Sequence, residues 1–251
     1  MSANHFSFKQ FTIQQELCAM KVGTDGVLLG AWADVKSTSL QANRSTSILD
    51  VGTGTGLIAL MAAQRNPEAH IIAIDVNPDA VLQAQENVGA SPFANRVIVR
   101  QADFRKGFEG LFDAILCNPP YFENALRCPD ASRSTARHSD TLTFDDLALN
   151  ASSLLRPLGT LSVIIPSERR MDMIAACATH GLTIVRETHV RTLPTKPPKR
   201  VLLEFISGLV GQQERLDYPE SPEISTLTIE ATPGVPTPEF KALLKEFYLK
   251  F

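Results

Sequence analysis

The sequence predicts an α/β domain built on a doubly wound, mostly parallel sheet of seven strands. Three observations lead to this fold class. Short apolar, β-branched runs alternate with helical patterns through the middle of the chain. A glycine-rich turn joins the first of these runs to the first helix. Two longer apolar runs then follow each other directly, which indicates a closing antiparallel hairpin.

Each element has its own signal. The predicted strands are, in order, "STSILDV", 71–74, "RVIVRQADF", "FDAILC", 160–165, "TIVRETHVR" and "RVLLEFISGL". The helix after the glycine turn ends near Asn66 and Pro67, because proline cannot continue a helix. Asn77 or Asp79 caps the next helix, which runs on to about Val88.

Segments at both ends and in the middle of the chain depart from this alternation. We expect a single domain whose parts are an N-terminal arm and lid (1–45), a core (46–210) and a C-terminal extension (211–251). Residues 123–140 are polar and predicted to form a mobile loop. The stretch 211–238 is acidic and proline-rich, and after it Thr237 and Pro238 begin an amphipathic docking helix as N-cap and first helical residue.

Composition excludes several classes of protein. The net charge of −3 over 251 residues argues against a globally basic nucleic-acid coat protein, so any nucleic-acid site must be local. The four cysteines are scattered without a C-x-x-C pair, which makes a zinc site or a disulfide framework improbable and favours the reducing cytoplasm. No export signal, no membrane-spanning run, no bound metal and no obligate protein partner are expected.

A glycine motif between the first strand and its helix indicates a ligand site. Asp50, Gly52, Gly54 and Gly56 form D-x-G-x-G-x-G, in which the glycines permit a tight turn and close approach of a ligand. Leu57 stands where a dinucleotide-binding fingerprint requires glycine, and no Gly-Lys-Ser/Thr follows to make a phosphate-binding P-loop.

Acidic residues end the next two strands. Asp75 follows the second strand, and its carboxylate can accept both hydrogen bonds from a ribose diol. Asp103 and Phe104 end the third strand, where a polar acceptor and an apolar wall could border an adenine. An acidic residue at a single strand end usually caps a helix. The glycine motif, Asp75 and Asp103 together mark the ends of three successive strands, which is a rarer coincidence.

This order of motifs resembles the Rossmann-like methyltransferases that use S-adenosylmethionine. The resemblance covers residues 47–165. It implies that residues 52–56 lie under the methionyl part, that Asp75 holds the ribose, and that Asp103 and Phe104 border the adenine. The rest of the predicted cofactor set comprises Val76 and, from the glycine-rich lid stretch "KVGTDGVLLGAW", Lys21, Thr24 and Asp25.

The stretch "CNPPYF" ends the fourth strand, where open α/β sheets bind their ligands. The Asn118 side-chain oxygen and the Pro119 carbonyl can each accept an N–H from an amino group, which orients the nitrogen and offsets the charge it acquires. Pro119 and Pro120 stiffen the edge, and Tyr121, with Phe122, can stack on a planar acceptor. N-P-P-Y resembles the amino-methylating subgroup, which leaves adenine, guanine and glutamine acceptors open.

The rest of the chain narrows the choice of methyl acceptor. "FKQFTIQQELCAMKVGTDGVLLGAW", "ARHSD", "KPPKRVLLEF" and "FYLKF" together resemble the bacterial adenine-N6 methyltransferases that modify the adenosine just 3′ of the anticodon in tRNA(Val). The predicted tRNA contacts beside Tyr121 and Phe122 are Arg137, His138, Lys196, Lys199 and Arg200, and Arg186 and Arg191 extend the cluster near the closing strands, opposed only by Glu187. The alternatives are a glutamine-N5 methyltransferase acting on release factors, an rRNA amino-group methyltransferase, and a catalytically silent RNA-binding module.

Overall fold

The computed structural model describes residues 4–18, 21–36, 45–119, 142–208 and 221–250. Their strands are β1 His5–Ser7, β2 Thr12–Gln14, β3 Ser47–Val51, β4 His70–Asp75, β5 Val97–Gln101, β6 Phe112–Cys117, β7 Leu155–Pro166, β8 Leu182–Arg191, β9 Arg200–Ser207, β10 Glu223–Thr228, β11 Glu230–Thr232 and β12 Val235–Pro236. Their α-helices are α1 Thr24–Trp32, α2 Leu57–Arg65, α3 Pro78–Gly89, α4 Phe144–Leu154, α5 Arg170–Thr179 and α6 Pro238–Leu244.

Eight of these strands form one sheet in the order β10-β8-β9-β7-β6-β3-β4-β5. Strands β7, β6, β3, β4 and β5 are parallel, and β8 and β9 form an antiparallel pair against β7. The predicted doubly wound, mostly parallel sheet with a closing hairpin is therefore confirmed. The predicted number of seven strands is corrected to eight, because β10 adds parallel to β8 from the stretch that we assigned to the extension.

Buried apolar side chains cover both faces of the sheet. Helices α1, α2 and α6 and the N-terminal arm pack on one face, where Ile13, Leu28, Met61 and Leu244 have no exposed surface. Helices α4 and α5 pack on the other, around the fully buried Phe205. Because the described helices cover both faces, a ligand is expected at the carboxyl ends of the strands.

Local chemistry sets the helix boundaries. Of the two predicted caps of α3, Asn77 is the one used: its side chain accepts from the backbone N–H of Asp79, and Pro78 begins the helix. The Thr237 side chain accepts from the N–H of Phe240 in the same way at α6. Phe240 is buried in the core, which confirms that α6 is a docking helix of the fold.

The glycines of α1 let this helix approach α2 closely. A Cβ added at Gly26 would lie 3.2 Å from Leu57 Cδ2, and one at Gly30 would lie 2.7 Å from Met61 Sδ. Every residue of α1 from Gly26 onward is buried, so this part of the chain belongs to the core. Residues 26–32 of the expected lid are therefore not a mobile cover over the cofactor, since they are buried in the core.

Candidate active site

The register of the sheet brings the glycine turn and Asn118 together. Val51, the last residue of β3, pairs with Cys117, the last residue of β6. Gly52 and Asn118 are therefore the first residues beyond the ends of two adjacent parallel strands. The chain leaves β3 toward β4 on one side, and β6 lies on the other side, which makes this position the topological switch point of the sheet.

The glycine turn has the backbone conformation that its sequence demands. Gly52, Gly54 and Gly56 have φ values of 70°, 55° and 82°, in the left-handed region that favours glycine. A Cβ added at Gly52 or Gly54 would meet nothing within 4 Å. The space above these two residues is therefore open to a ligand, and any side chain there would obstruct it.

The Asp75 carboxylate lies across this turn. Its Oδ2 accepts from the Gly54 N–H at 2.9 Å, and its Oδ1 accepts from the Asn77 N–H at 2.9 Å. Each oxygen has a second lone pair, so the fixed carboxylate can also accept from a diol. Val76, which is 57% exposed, adds apolar surface beside it.

Asp50 supports the turn from below. It is fully buried, and its Oδ2 accepts from the Thr53 hydroxyl at 2.6 Å and from the Ala59 N–H at 3.1 Å. Among the described residues its Oδ1 has no hydrogen-bond partner. Burial raises the pKa of Asp50 to about 7, despite the two hydrogen bonds that lower it.

The raised pKa of Asp50 predicts a pH dependence of stability. The folded protein retains a proton that the unfolded chain loses near pH 4, so the stabilising effect is present at low pH and is lost as the pH rises through about 7. Without ligand, the free energy of unfolding should fall by about 1 kcal/mol per pH unit between roughly pH 5 and 7, relative to Asp50→Asn. Urea unfolding of both proteins measures this difference, and parallel pH profiles would contradict the prediction.

Asp103 and Phe104 end the neighbouring strand but differ in exposure. Arg105 binds both oxygens of the Asp103 carboxylate at 2.9 and 2.8 Å, and this contact lowers the pKa of Asp103. Phe104 is 4% exposed and packs in the core. Arg105 was missed by sequence reasoning, although an arginine two residues after an acid at a strand end is a natural partner for it.

A residue predicted to bind the cofactor and a residue predicted to bind the substrate form an ion pair with each other. Arg200 Nε donates to Asp25 Oδ2 at 2.8 Å. Arg200 is the first residue of β9, and Asp25 lies in the first turn of α1. Lys21 and Thr24 are exposed near this end of α1. The pair thus links the β8–β9 turn to the start of α1. Gly26 of α1 packs against Leu57, which is the first residue of α2 after the glycine turn.

The structure divides the predicted basic cluster near the closing strands. The Arg186 guanidinium carbon lies 3.7 Å from the centre of the Trp32 ring, and the side chain pairs with Glu204. Arg186 therefore stabilises the fold. Glu187, expected to oppose the cluster, is buried instead with Arg170 and His189. Lys196 and Lys199 are exposed on the turn 192–199, between the end of β8 and the start of β9.

That turn lies at the same edge of the sheet as Asn118. Pro166, at the carboxyl end of β7, pairs with Arg200, and Val190, near the end of β8, pairs with Arg200 from the other side. The edge therefore carries the glycine turn, Asp75, Asn118 and two exposed lysines. The other predicted substrate and catalytic residues lie outside the described residues: Pro120, Tyr121, Phe122, Arg137 and His138.

Comparison with known proteins identifies the family. The model of the methyltransferase small domain matches residues 34–188. The chain belongs to this methyltransferase family. A protein from Parabacteroides distasonis is 45% identical to this methyltransferase over 253 residues, with both chains covered completely, and one from Phocaeicola vulgatus is 48% identical over 98% of this chain and 97% of its own. Both carry the name tRNA1(Val) (adenine(37)-N6)-methyltransferase. The resemblance drawn from the sequence is confirmed.

Solved structures support the fold of this methyltransferase. A chain from Agrobacterium tumefaciens described as a predicted O-methyltransferase superposes with a TM-score of 0.65 at 20% identity, covering 89% of this chain and 96% of its own. In the described part of this methyltransferase, no group of three or more His, Cys, Asp and Glu residues could hold a metal ion. None of the helices described has the length and apolar character needed to span a bilayer.

Proposed function

We propose that this methyltransferase transfers a methyl group from S-adenosylmethionine to N6 of the adenosine at position 37 of tRNA1(Val). The observation that carries the proposal is the meeting of the glycine turn and Asn118 at the switch point of the sheet. The names of relatives that align along the whole chain support the choice of acceptor. With a tRNA substrate, we expect the reaction to take place in the cytoplasm.

The residues around the turn fit the cofactor. The open space above Gly52 and Gly54 admits a ligand close to the backbone, and the Asp75 carboxylate would hold its ribose. Asp103 and Phe104 would border its adenine, and Val76 would add apolar surface beside the cofactor. When bound, S-adenosylmethionine supplies an electrophilic methyl group on a sulfonium.

Asn118 and Pro119 would hold the acceptor. The lone pair of an exocyclic amino group is delocalised into its ring, which makes the nitrogen a poor nucleophile. The Asn118 side-chain oxygen and the Pro119 carbonyl accept its two N–H bonds, direct the remaining electron density toward the methyl donor and stabilise the positive charge that forms on nitrogen. The charged nitrogen would then release its proton to water, so no strong general base is needed.

The direct test of the proposal compares substrates. Incubation with labelled S-adenosylmethionine and total tRNA, followed by digestion to nucleosides, should yield labelled N6-methyladenosine. Parallel reactions contain release factor or ribosomal RNA. Label at a glutamine of the release factor, or only in ribosomal RNA, would overturn the tRNA assignment, and cofactor binding without transfer to any substrate would favour a silent binding module.

Lys196 and Lys199 are predicted to contact tRNA phosphates. The Lys196→Ala, Lys199→Ala variant should bind tRNA more weakly, and the slope of log K against log salt should become shallower by about 0.7–0.9 for each phosphate that is no longer neutralised. The control variant Lys241→Ala, Lys245→Ala removes the same charge in α6 and at its C-cap. This part of the chain lies away from the glycine turn, because the neighbouring Glu246 carbonyl accepts from Gln64 near the C-terminal end of α2. Equal slopes in the two variants would contradict the prediction.

A further inference from the structure

One buried amide on α3 joins the glycine turn to the N-terminal arm. Asn87 is 1% exposed. Its Nδ2 donates to the Gln14 carbonyl at 2.8 Å and to the Thr55 carbonyl at 2.9 Å. Its Oδ1 accepts from the Gln14 N–H at 2.8 Å. Both donors and the acceptor are thus used, so the orientation of the amide is fixed by its partners.

The Thr55 carbonyl lies between two of the three turn glycines. Gly54 on one side is tied to Asp75, and Gly56 on the other lies over Ala84 of α3, where an added Cβ would be 3.4 Å from the Ala84 Cβ. Glycines in the left-handed region have few restraints of their own. The bond from Asn87 therefore supplies a restraint where the backbone is freest, directly beside the open space above Gly54.

The arm reaches the same edge of the sheet by way of α3. Gln83, one helical turn before Asn87, accepts from the Leu17 N–H at 3.0 Å, and Gln15 accepts from the Val22 N–H at 2.8 Å. Burial, with the carboxylates of Asp75 and Asp79 nearby, raises the pKa of the Cys18 thiol to about 11. Cys18, at the end of the described arm, therefore lies near the carboxylate assigned to the ribose.

We infer that Asn87 is a positioning residue for cofactor binding, which holds the glycine turn in its binding conformation and couples it to docking of the arm. The inference rests on the proposed use of S-adenosylmethionine. It adds a residue that lies on α3, remote in sequence from the glycine motif. Gln83 holds the arm without a bond to the turn, so the two amides can be tested against each other.

The matched variants are Asn87→Asp and Gln83→Glu. Both convert a buried amide of α3 into an acid of equal size. Gln83→Glu replaces the donor to the Glu86 carboxylate, whereas only Asn87→Asp removes the donor to Thr55 and turns an oxygen toward two carbonyls. Calorimetry with S-adenosylmethionine should show a Kd at least roughly tenfold weaker for Asn87→Asp than for Gln83→Glu. Equal affinities in folded variants would overturn the inference, whereas a wild-type chain that does not bind S-adenosylmethionine would instead refute the proposed function.

Hydrogen exchange of the wild-type chain tests the same coupling without a substitution, and it decides the matter if Asn87→Asp does not fold. Saturation with S-adenosylmethionine should slow exchange of the amides of Gly54 and Gly56 together with the Gln14 amide, which bonds to Asn87. The Lys9 amide, which bonds to Phe247 elsewhere in the arm, is the reference. Slowing confined to the glycine turn would show that Asn87 does not couple it to the arm.

Discussion

Asn118→Ala should reduce turnover at saturating S-adenosylmethionine and tRNA by about a hundredfold or more, the usual cost of losing one charge-stabilising group in a transition state. The side chain follows the last residue of β6 and is half-buried beside the glycine turn. Removing its oxygen deprives the amino group of one acceptor at the point where positive charge develops. Cofactor affinity should change little, because the residues assigned to the cofactor stay in place.

Asn118→Asp is the conservative comparison. The carboxylate keeps two acceptor oxygens and resembles the D-P-P-Y form of other adenine methyltransferases, so partial activity is expected. Single-turnover rates separate the chemical step from product release. Full activity in the alanine variant would mean that Asn118 only shapes the turn after β6, and a loss confined to KM would assign it to tRNA binding.

The fold was predictable wherever a sequence pattern has a single structural explanation. Strands such as β6 are buried on both faces, and their continuous apolar runs stand out from the helices around them. The caps at Asn77 and Thr237 were predictable because each is a polar side chain followed directly by a proline at the start of the helix. Strand β10 was missed because it is a short edge strand whose first four residues are exposed, so it lacks the apolar signal.

Glycines in α1 had two possible meanings, and sequence alone favoured the wrong one. Gly26 and Gly30 are four residues apart, so on a helix they share one face. Flexible turns use glycine for conformational freedom, whereas this helix uses it to approach Leu57 and Met61. The run of apolar residues between the two glycines was the available signal for a buried helix.

Charged and amide side chains depend on partners that are distant in the chain. The sequence offered Arg186 for phosphate binding because Trp32 and Glu204, its partners in the fold, are remote from it along the chain. Asn87 falls on the same helical stripe as Ala80 and Ala84, so a polar residue within an apolar stripe was the signal that it has a buried partner. Strand-end positions were easier, since parallel strands bring their carboxyl ends to one edge and thereby gather Asp75, Gly52 and Asn118.

Asp75→Ala should weaken binding of S-adenosylmethionine by roughly 1.5–3 kcal/mol, the scale of hydrogen bonds to a charged group. The expected change in Kd is therefore about tenfold to more than a hundredfold. Part of this effect comes from the turn itself, because the carboxylate also accepts from the Gly54 N–H. Asp79→Ala removes the same charge from an exposed position in the first turn of α3 and serves as the control.

A cofactor analogue that lacks the ribose 2′-hydroxyl separates the two contributions to the effect of Asp75. If the carboxylate binds the diol, the analogue should bind the wild-type chain more weakly than S-adenosylmethionine does, and Asp75→Ala should discriminate little between the two. The penalties for the missing hydroxyl and the missing carboxylate would then be non-additive, as expected for groups in direct contact. Additive penalties, or unchanged affinity in a folded Asp75→Ala variant, would refute the ribose assignment and leave Asp75 as a support of the glycine turn.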